Sequence, residues 1–190
     1  MMKYTAAVLV GESQRLPRKH LKIVDKGKRL IDLVVENLRA AELDVIIYST
    51  YHFDSPAPII LDHSKWIFSA VISILEKLNR SLFIFGGDMP FINKKEIERM
   101  AEYTSHNIVV PRWKNGYLEP LHAYYSPKVL PIFRKELSYG NTSLHLAIKK
   151  CKDVYYLPAE EMEPETFFNV NTKEDFLLLK KLIKKRDVII

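Results

Sequence analysis

At 190 residues the chain has room for one sizeable hydrophobic core and too little length for two independent ones. It is 47% apolar and 27% charged, and no run reaches the roughly 18 apolar residues of a membrane span. A single cysteine, Cys151, excludes an internal disulfide framework and a cysteine metal cluster, which fits a reducing, cytoplasmic setting without a membrane partner. The net charge of +6 is unevenly spread. Arg15, Arg18, Lys19, Lys22, Lys26, Lys28 and Arg29 crowd one segment, and Lys180, Lys181, Lys184, Lys185 and Arg186 crowd another near the carboxyl terminus. Cations in a loop after a strand suit a polyphosphate, whereas a basic terminal helix reads as a solvated face. No basic motif interleaved with aromatics is present, so nucleic acid is not expected.

The first ten residues carry an apolar core too short for a secretory leader, and they predict a buried strand over Tyr4 to Val10. Leu30, Val34, Leu38 and Ala41 then recur at helical spacing. Strands follow at Asp44 to Ser49 and Ile59 to Leu61, and a second helix carries Ile67, Val71, Ile74, Leu75 and Leu78. Ser81 to Phe85 is an unbroken apolar strand running into Gly86-Gly87-Asp88, where the backbone must turn tightly. A helix from about Asn93 presents Ile97, Met100 and Ala101. Strands at Asn107 to Pro111 and Leu118 to Tyr125 flank Asn115-Gly116, a hairpin signal that predicts an antiparallel excursion. Short helices start around Pro127 to Pro131 and at Ser143, and a strand spans Val154 to Leu157. The last helix has Thr172 as its N-cap, Glu174 and Asp175 in its first turn, and Phe176, Leu179, Leu182 and Ile183 as its apolar face. This alternation predicts a single three-layer α/β/α domain over residues 1–190 with a mostly parallel, mixed sheet.

Two places carry chemistry. Asp88 stands at the carboxyl end of a central strand, the edge at which open α/β sheets bind ligands; the alternative is a turn residue that caps the following helix. The segment from Val8 to Lys19 is a strand, a turn with Gly11 and Ser13, then Arg15 and Lys19, which supplies backbone amides and cations for phosphate. It matches neither GxxxxGK[ST] nor GxGxxG. The histidines His20, His52, His63, His106 and His145 show no metal-ligand spacing and read as surface or structural.

Four blocks together resemble the molybdenum cofactor guanylyltransferases, molybdopterin-guanine dinucleotide biosynthesis protein A and its relatives. They are the Ser13-x-Arg15-Leu16 loop with its following lysine, and Gly86-Gly87-Asp88-Met89-Pro90-Phe91. The others are Asn115-Gly116-x-x-Glu119-Pro120-Leu121-His122-Ala123-x-Tyr125 and Phe167-Phe168-Asn169-Val170-Asn171-Thr172-x-Glu174-Asp175. They stand in family order across nearly the whole chain. The resemblance implies a nucleotidyltransferase fold that, with Mg²⁺, transfers GMP from GTP to the terminal phosphate of molybdopterin and releases pyrophosphate. It also implies transient contacts with other molybdenum cofactor biosynthesis proteins. Carried over residue by residue, Arg15, Lys19 and Asp88 are implied as catalytic. Leu9, Val10, Gly11, Ser13, Arg15, Lys19, Asp62 and Asp88 are implied to bind the nucleotide. Glu119, Pro120, Leu121, His122, Asn169 and Asn171 are implied to bind the acceptor, and Asp88 with Asn171 the metal. Residues 1–110 would then be mainly the nucleotide-binding part and residues 111–190 mainly the acceptor-binding part. His122 reads equally as a hydrogen-bonded strand residue, Asn169 and Asn171 as turn residues, and Lys22 is an alternative to Lys19.

The first block departs from the family pattern Leu-Ala-Gly-Gly-x-Ser-x-Arg-Met-Gly. Val10 replaces the first loop glycine, and Leu16-Pro17 replaces Met-Gly. After Asp62, Ser64-Lys65-Trp66 stands where Gly-Pro is usual. These changes leave open CTP or another nucleotide, another phosphate acceptor, or nucleotide binding without turnover.

Overall fold

The computed structural model describes residues 4–188. Nine strands are found among them: β1 (Thr5–Val10), β2 (Ile23–Asp25), β3 (Lys28–Arg29), β4 (Asp44–Ser49), β5 (Ile59–Leu61), β6 (Leu82–Gly86), β7 (Ile108–Arg112), β8 (His122–Tyr125) and β9 (Val154–Pro158). The helices are α1 (Leu30–Ala40), α2 (Ile67–Leu78), α3 (Lys94–Ala101), α4 (Leu130–Ser138), α5 (Leu144–Lys150) and α6 (Lys173–Val188). Seven strands form one sheet in the order β5-β4-β1-β6-β8-β7-β9. β8 runs antiparallel to both of its neighbours, while the other pairs are parallel. The mixed α/β/α architecture expected from the sequence is therefore the one observed.

The unbroken apolar run of β6 follows from its place in the sheet, since all five residues are buried and successive side chains enter opposite cores. Phe83 and Phe85 join Ala6 and Val8 beneath Ile31, Val34, Leu38, Ile97 and Met100 of α1 and α3. Leu82 and Ile84 join Ala7 beneath Phe68, Val71, Leu75, Phe133 and Ile148 of α2, α4 and α5. A smaller cluster of Leu16, Val24, Leu30, Phe91, Val170 and Leu179, with Phe176, Leu182 and Ile183 packed against it, fastens α6 across the segment between β1 and α1. No helix among the described residues is long and apolar enough to cross a membrane.

Three expectations are corrected, while the tight turn expected at Gly86-Gly87 is present. The basic stretch after β1 contains the β2–β3 hairpin, closed by Lys26 and Gly27 at φ 40° and 82°, the left-handed pair a two-residue turn requires. The strand expected from Leu118 begins only at His122. Leu118 makes a single bridge to Arg112, and the Pro120 region turns, with the His122 amide donating to the Glu119 carbonyl. Ile67, expected on the buried face of α2, is its first residue and is 55% exposed. Gly86 and Gly87 are absent from the positive-φ residues, so their use is space rather than left-handed freedom. The N-cap of α3 is Asn93, whose side chain accepts from the Glu96 amide at 3.0 Å. Asp88 is thereby free of the capping role.

Candidate active site

β1, β4, β5 and β6 are mutually parallel, so their carboxyl ends open on one edge of the sheet. A cleft of about 700 Å³ lies there, and Leu9, Val10, Gly11, Ser13, Arg15, Lys19, Asp62, Asp88, Leu121 and Asn171 all line it. The sequence-predicted nucleotide set is thus brought together in full.

At one end three distant segments converge. The Lys19 ammonium donates to Asp88 Oδ2 at 2.5 Å and to Asn171 Oδ1 at 2.9 Å. Each of the three has its own support. Lys19 opens a single 3-10 turn, Lys19–Leu21, preceded by Arg18 in the left-handed region at φ 48°. Behind it His20 is buried, hydrogen-bonded to the Tyr51 hydroxyl and packed by Tyr51 and Phe53. Burial, with the adjacent Lys19 charge, pushes the imidazole pKa down to about 4, so His20 is neutral.

Asp88 follows two glycines that let backbones approach. The Gly87 amide donates to the Leu9 carbonyl at 2.8 Å and the Gly86 amide to Leu121 at 3.1 Å. A methyl on Gly86 would lie 2.6 Å from Asp88 Oδ1; one on Gly87 would lie 2.8 Å from Val10 Cγ2 and 3.0 Å from the Leu9 carbonyl oxygen. Val10, which replaces the family glycine, therefore occupies space that a residue larger than glycine at position 87 would need. Asn171 is held from both sides. The Val170 amide donates to the Asp88 carbonyl at 2.9 Å, and Asp175 Oδ2 accepts from the amides of Asn171 and Thr172 at 2.9 and 2.8 Å. Burial works against the Asp175 charge, yet these amides hold its pKa below the ordinary carboxylate value. Thr172 returns a cap to the Asp175 amide at 3.1 Å, as the sequence predicts.

The other end of the cleft is built on Asp62. Its carboxylate accepts from the Ser64 amide, the Ser73 hydroxyl at 2.7 Å and the Lys77 ammonium at 3.1 Å. Burial opposes the charge, but these bonds outweigh it and hold the pKa below its usual value. Asp62 thus folds its own turn onto α2. Tyr48 lines the wall beside it; burial and the Asp62 charge raise its phenol pKa to about 12. Trp66 stands at the rim, 47% exposed, with the Lys65 ammonium 5.0 Å from its ring. Trp66 belongs to the segment that departs from the family's Gly-Pro, whereas Tyr48 is marked by no motif.

Of the predicted acceptor residues, Leu121 and Asn171 reach the cleft. Glu119 accepts from Trp113 Nε1 at 2.7 Å, and burial raises its carboxyl pKa. The Pro120 carbonyl accepts from the Tyr125 hydroxyl at 2.7 Å, and Asn169 bonds back to the Phe167 carbonyl. His122 is fully buried between Phe85 and Phe167, with neither ring nitrogen hydrogen-bonded. Its pKa is pushed down to about 3 by burial. His122 is the strand residue of the alternative reading, the first of β8 and paired with Phe85 in the sheet, but its ring lies outside the cleft lining and makes no hydrogen bond of its own. Glu119, Pro120 and Asn169 likewise lie outside the cleft lining.

Asp88 and Asn171 present two hard oxygens that already converge on one cation, the Lys19 ammonium. No trio of His, Cys, Asp or Glu among the described residues is grouped to hold a metal. That donor set fits an ion of the Mg²⁺ type, which keeps waters and shares its remaining positions with phosphate oxygens, rather than one caged by protein alone.

Comparison with known proteins bears on the family and the fold. The family model described as the MobA-like NTP transferase domain matches residues 6–153. A protein of Pyrococcus horikoshii named a probable molybdenum cofactor guanylyltransferase is 31% identical, over 94% of this chain and 100% of its own length. One of the same name from Methanosarcina mazei is 37% identical over 54% of this chain and 48% of that protein. The crystal structure of molybdopterin-guanine dinucleotide biosynthesis protein A from Archaeoglobus fulgidus shares the fold with a TM-score of 0.76 at 20% identity, covering 95% of this chain and 100% of that one.

Proposed function

We propose that this chain, which belongs to the MobA-like NTP transferase family and is a nucleotidyltransferase, transfers GMP from GTP to the terminal phosphate of molybdopterin in the cytoplasm, with Mg²⁺, releasing pyrophosphate. The observation that carries the reading is the convergence of Lys19, Asp88 and Asn171 at the end of a cleft whose floor is the β1 loop. Nucleotidyl transfer needs an attacking phosphate held in line with the α-phosphorus while charge on the transferring and leaving groups is neutralised. Arg15 and Lys19 bring positive charge to the triphosphate, and the backbone from Leu9 to Ser13 offers amides to it. Asp88 and Asn171 would hold Mg²⁺, which would supply neutralisation of the negative charge on the phosphates. The acceptor phosphate is already ionised, so no general base is required. A neutral His20 suits this, since it supports Lys19 without exchanging protons.

The nucleotide half of the reaction belongs mainly to residues 1–110. The acceptor enters beside Leu121 and Asn171, with Glu119, Pro120, His122 and Asn169 supporting that edge from behind. The base lies toward Ser64, Trp66 and Tyr48, at the far end from Asp88. The test is a panel of GTP, ATP, CTP and UTP with molybdopterin as acceptor, scored by pyrophosphate. Release with GTP is expected. Release with CTP in its place overturns the base assignment, and release with none of the four, despite measurable GTP binding, overturns turnover.

The two glycines before Asp88 give a separable pair of outcomes. Gly86→Ala drives a methyl into Asp88 Oδ1, the end of a side chain, so kcat is expected to fall about 10- to 100-fold with little loss of thermal stability. Gly87→Ala presses on Val10 and the Leu9 carbonyl, between two paired strands, so about 1–3 kcal/mol of stability is expected to be lost. Melting temperature and pyrophosphate release, measured on both variants, distinguish the two effects.

A further inference from the structure

We propose that Lys19 is a built-in counter-cation of the metal position, so that a divalent ion binds Asp88 and Asn171 only by displacing the Lys19 ammonium. The inference rests on the reading of Asp88 and Asn171 as the metal ligands. The same two oxygens, Asp88 Oδ2 and Asn171 Oδ1, accept from Lys19 Nζ at 2.5 and 2.9 Å. An ion of the Mg²⁺ type sits at about 2.0–2.1 Å from its oxygen ligands. An ammonium and a divalent ion on one such oxygen pair stand within about 4 Å of each other, where the repulsion between +1 and +2 is large in a weakly solvated site. Lys19 is only 8% exposed, so water does little to screen it.

Charge counting leads the same way. Asp88 is the carboxylate that Lys19 touches, and the ammonium already neutralises it. A carboxylate paired in this way attracts a free divalent ion less strongly than a bare one. A triphosphate changes that balance, because it brings negative charge that draws the metal in and also offers the displaced ammonium a new partner. Metal loading is thereby tied to the nucleotide. The lysine is built for such a move: Arg18 and His20 pin its backbone on either side, while its four-carbon stem leaves the ammonium free to swing.

The experiment titrates the full chain, without nucleotide, with Mn²⁺ as the probe and reads free Mn²⁺ by electron paramagnetic resonance. Lys19→Met is expected to bind Mn²⁺ on the order of tenfold or more tightly than the parent, because it leaves Asp88 without its counter-charge. Lys19→Gln serves the same purpose should the methionine variant fail to fold. Adding Asp88→Asn is expected to erase the gain. If the Lys19 variants bind Mn²⁺ no more tightly, or none binds it detectably, the competition is overturned. An Asp88→Asn change that weakens the parent's binding would even then keep Asp88 as a ligand. Tightened binding that survives Asp88→Asn places the ion elsewhere and overturns both the competition and the assignment of Asp88.

Discussion

Asp88→Asn is expected to lower the rate of Mg²⁺-dependent pyrophosphate release by about 10³-fold or more while leaving the fold intact. The substitution keeps the shape of the side chain and an oxygen for Lys19, but it removes the negative charge at the meeting point of β6, the β1 loop and the segment before α6. Asp88 makes no cap, and Lys19 is the side-chain partner of its carboxylate in the described contacts, so the carboxylate has no structural duty beyond that pair. The stability cost is expected to be about 1–2 kcal/mol, since a mostly buried ammonium exchanges a charged partner for a neutral one. Steady-state kinetics and a thermal melt on the same preparation check both figures. Retention of more than a tenth of the parent rate would remove Asp88 from the chemistry.

The second large effect concerns stability in acid. His122 and His20 have pKa values lowered to about 3 and about 4, against an ordinary value of 6.5. Above pH 6.5 each is neutral whether folded or unfolded and contributes no pH dependence. Below it the unfolded chain binds protons that the folded chain refuses, so stability falls as pH falls toward the folded values. Each histidine is expected to cost about 2 kcal/mol at pH 5, roughly 4 kcal/mol together. His145, lowered by partial burial, acts in the same direction but is more exposed. Urea melts at pH 7.5, 6 and 5 measure the slope. His122→Phe is expected to remove about half of it, and to raise stability at neutral pH by about 1 kcal/mol, because it replaces a buried ring with two unbonded nitrogens. An unchanged slope would mean that His122 is open to solvent.

How much of this was legible in the sequence depends on the range of the interaction. β6 and its Gly-Gly-Asp ending are contiguous, and an apolar run stopping at small residues declares a buried strand. The Thr172 cap and the apolar face of α6 are local in the same sense. The β2–β3 hairpin was hidden because three- and two-residue strands are too short to show alternation, although Lys26-Gly27 in fact carries the turn. Leu118 to His122 looked like strand because it follows the Asn115-Gly116 hairpin signal and runs into Ala123 to Tyr125, and Pro120 was the residue that argued otherwise. His122 is a harder case. Alternation says which face it points to, but only the approach of Phe167 from a distant segment encloses it. Asn171 was singled out by family pattern alone, whereas its bond to Lys19 spans 152 residues and no spacing rule reaches that far. Trp66 showed only as part of a departure from the family's Gly-Pro and Tyr48 not at all; the turn at Asp62 delivers one to the rim of a cleft whose wall holds the other.

The late position of Asn171 has a consequence for the order in which the protein is made. β9, the last strand, ends at Pro158, so every strand of the sheet exists before Asn171 has been translated. Until that residue emerges from the ribosome, Lys19 has Asp88 but not its amide partner, and the Asp88 carbonyl lacks the Val170 amide. A growing chain can lay down its scaffold before the Lys19–Asp88–Asn171 cluster is complete. A premature stop shortly after β9 would leave a product with all of the described strands and no Asn171 in the cleft.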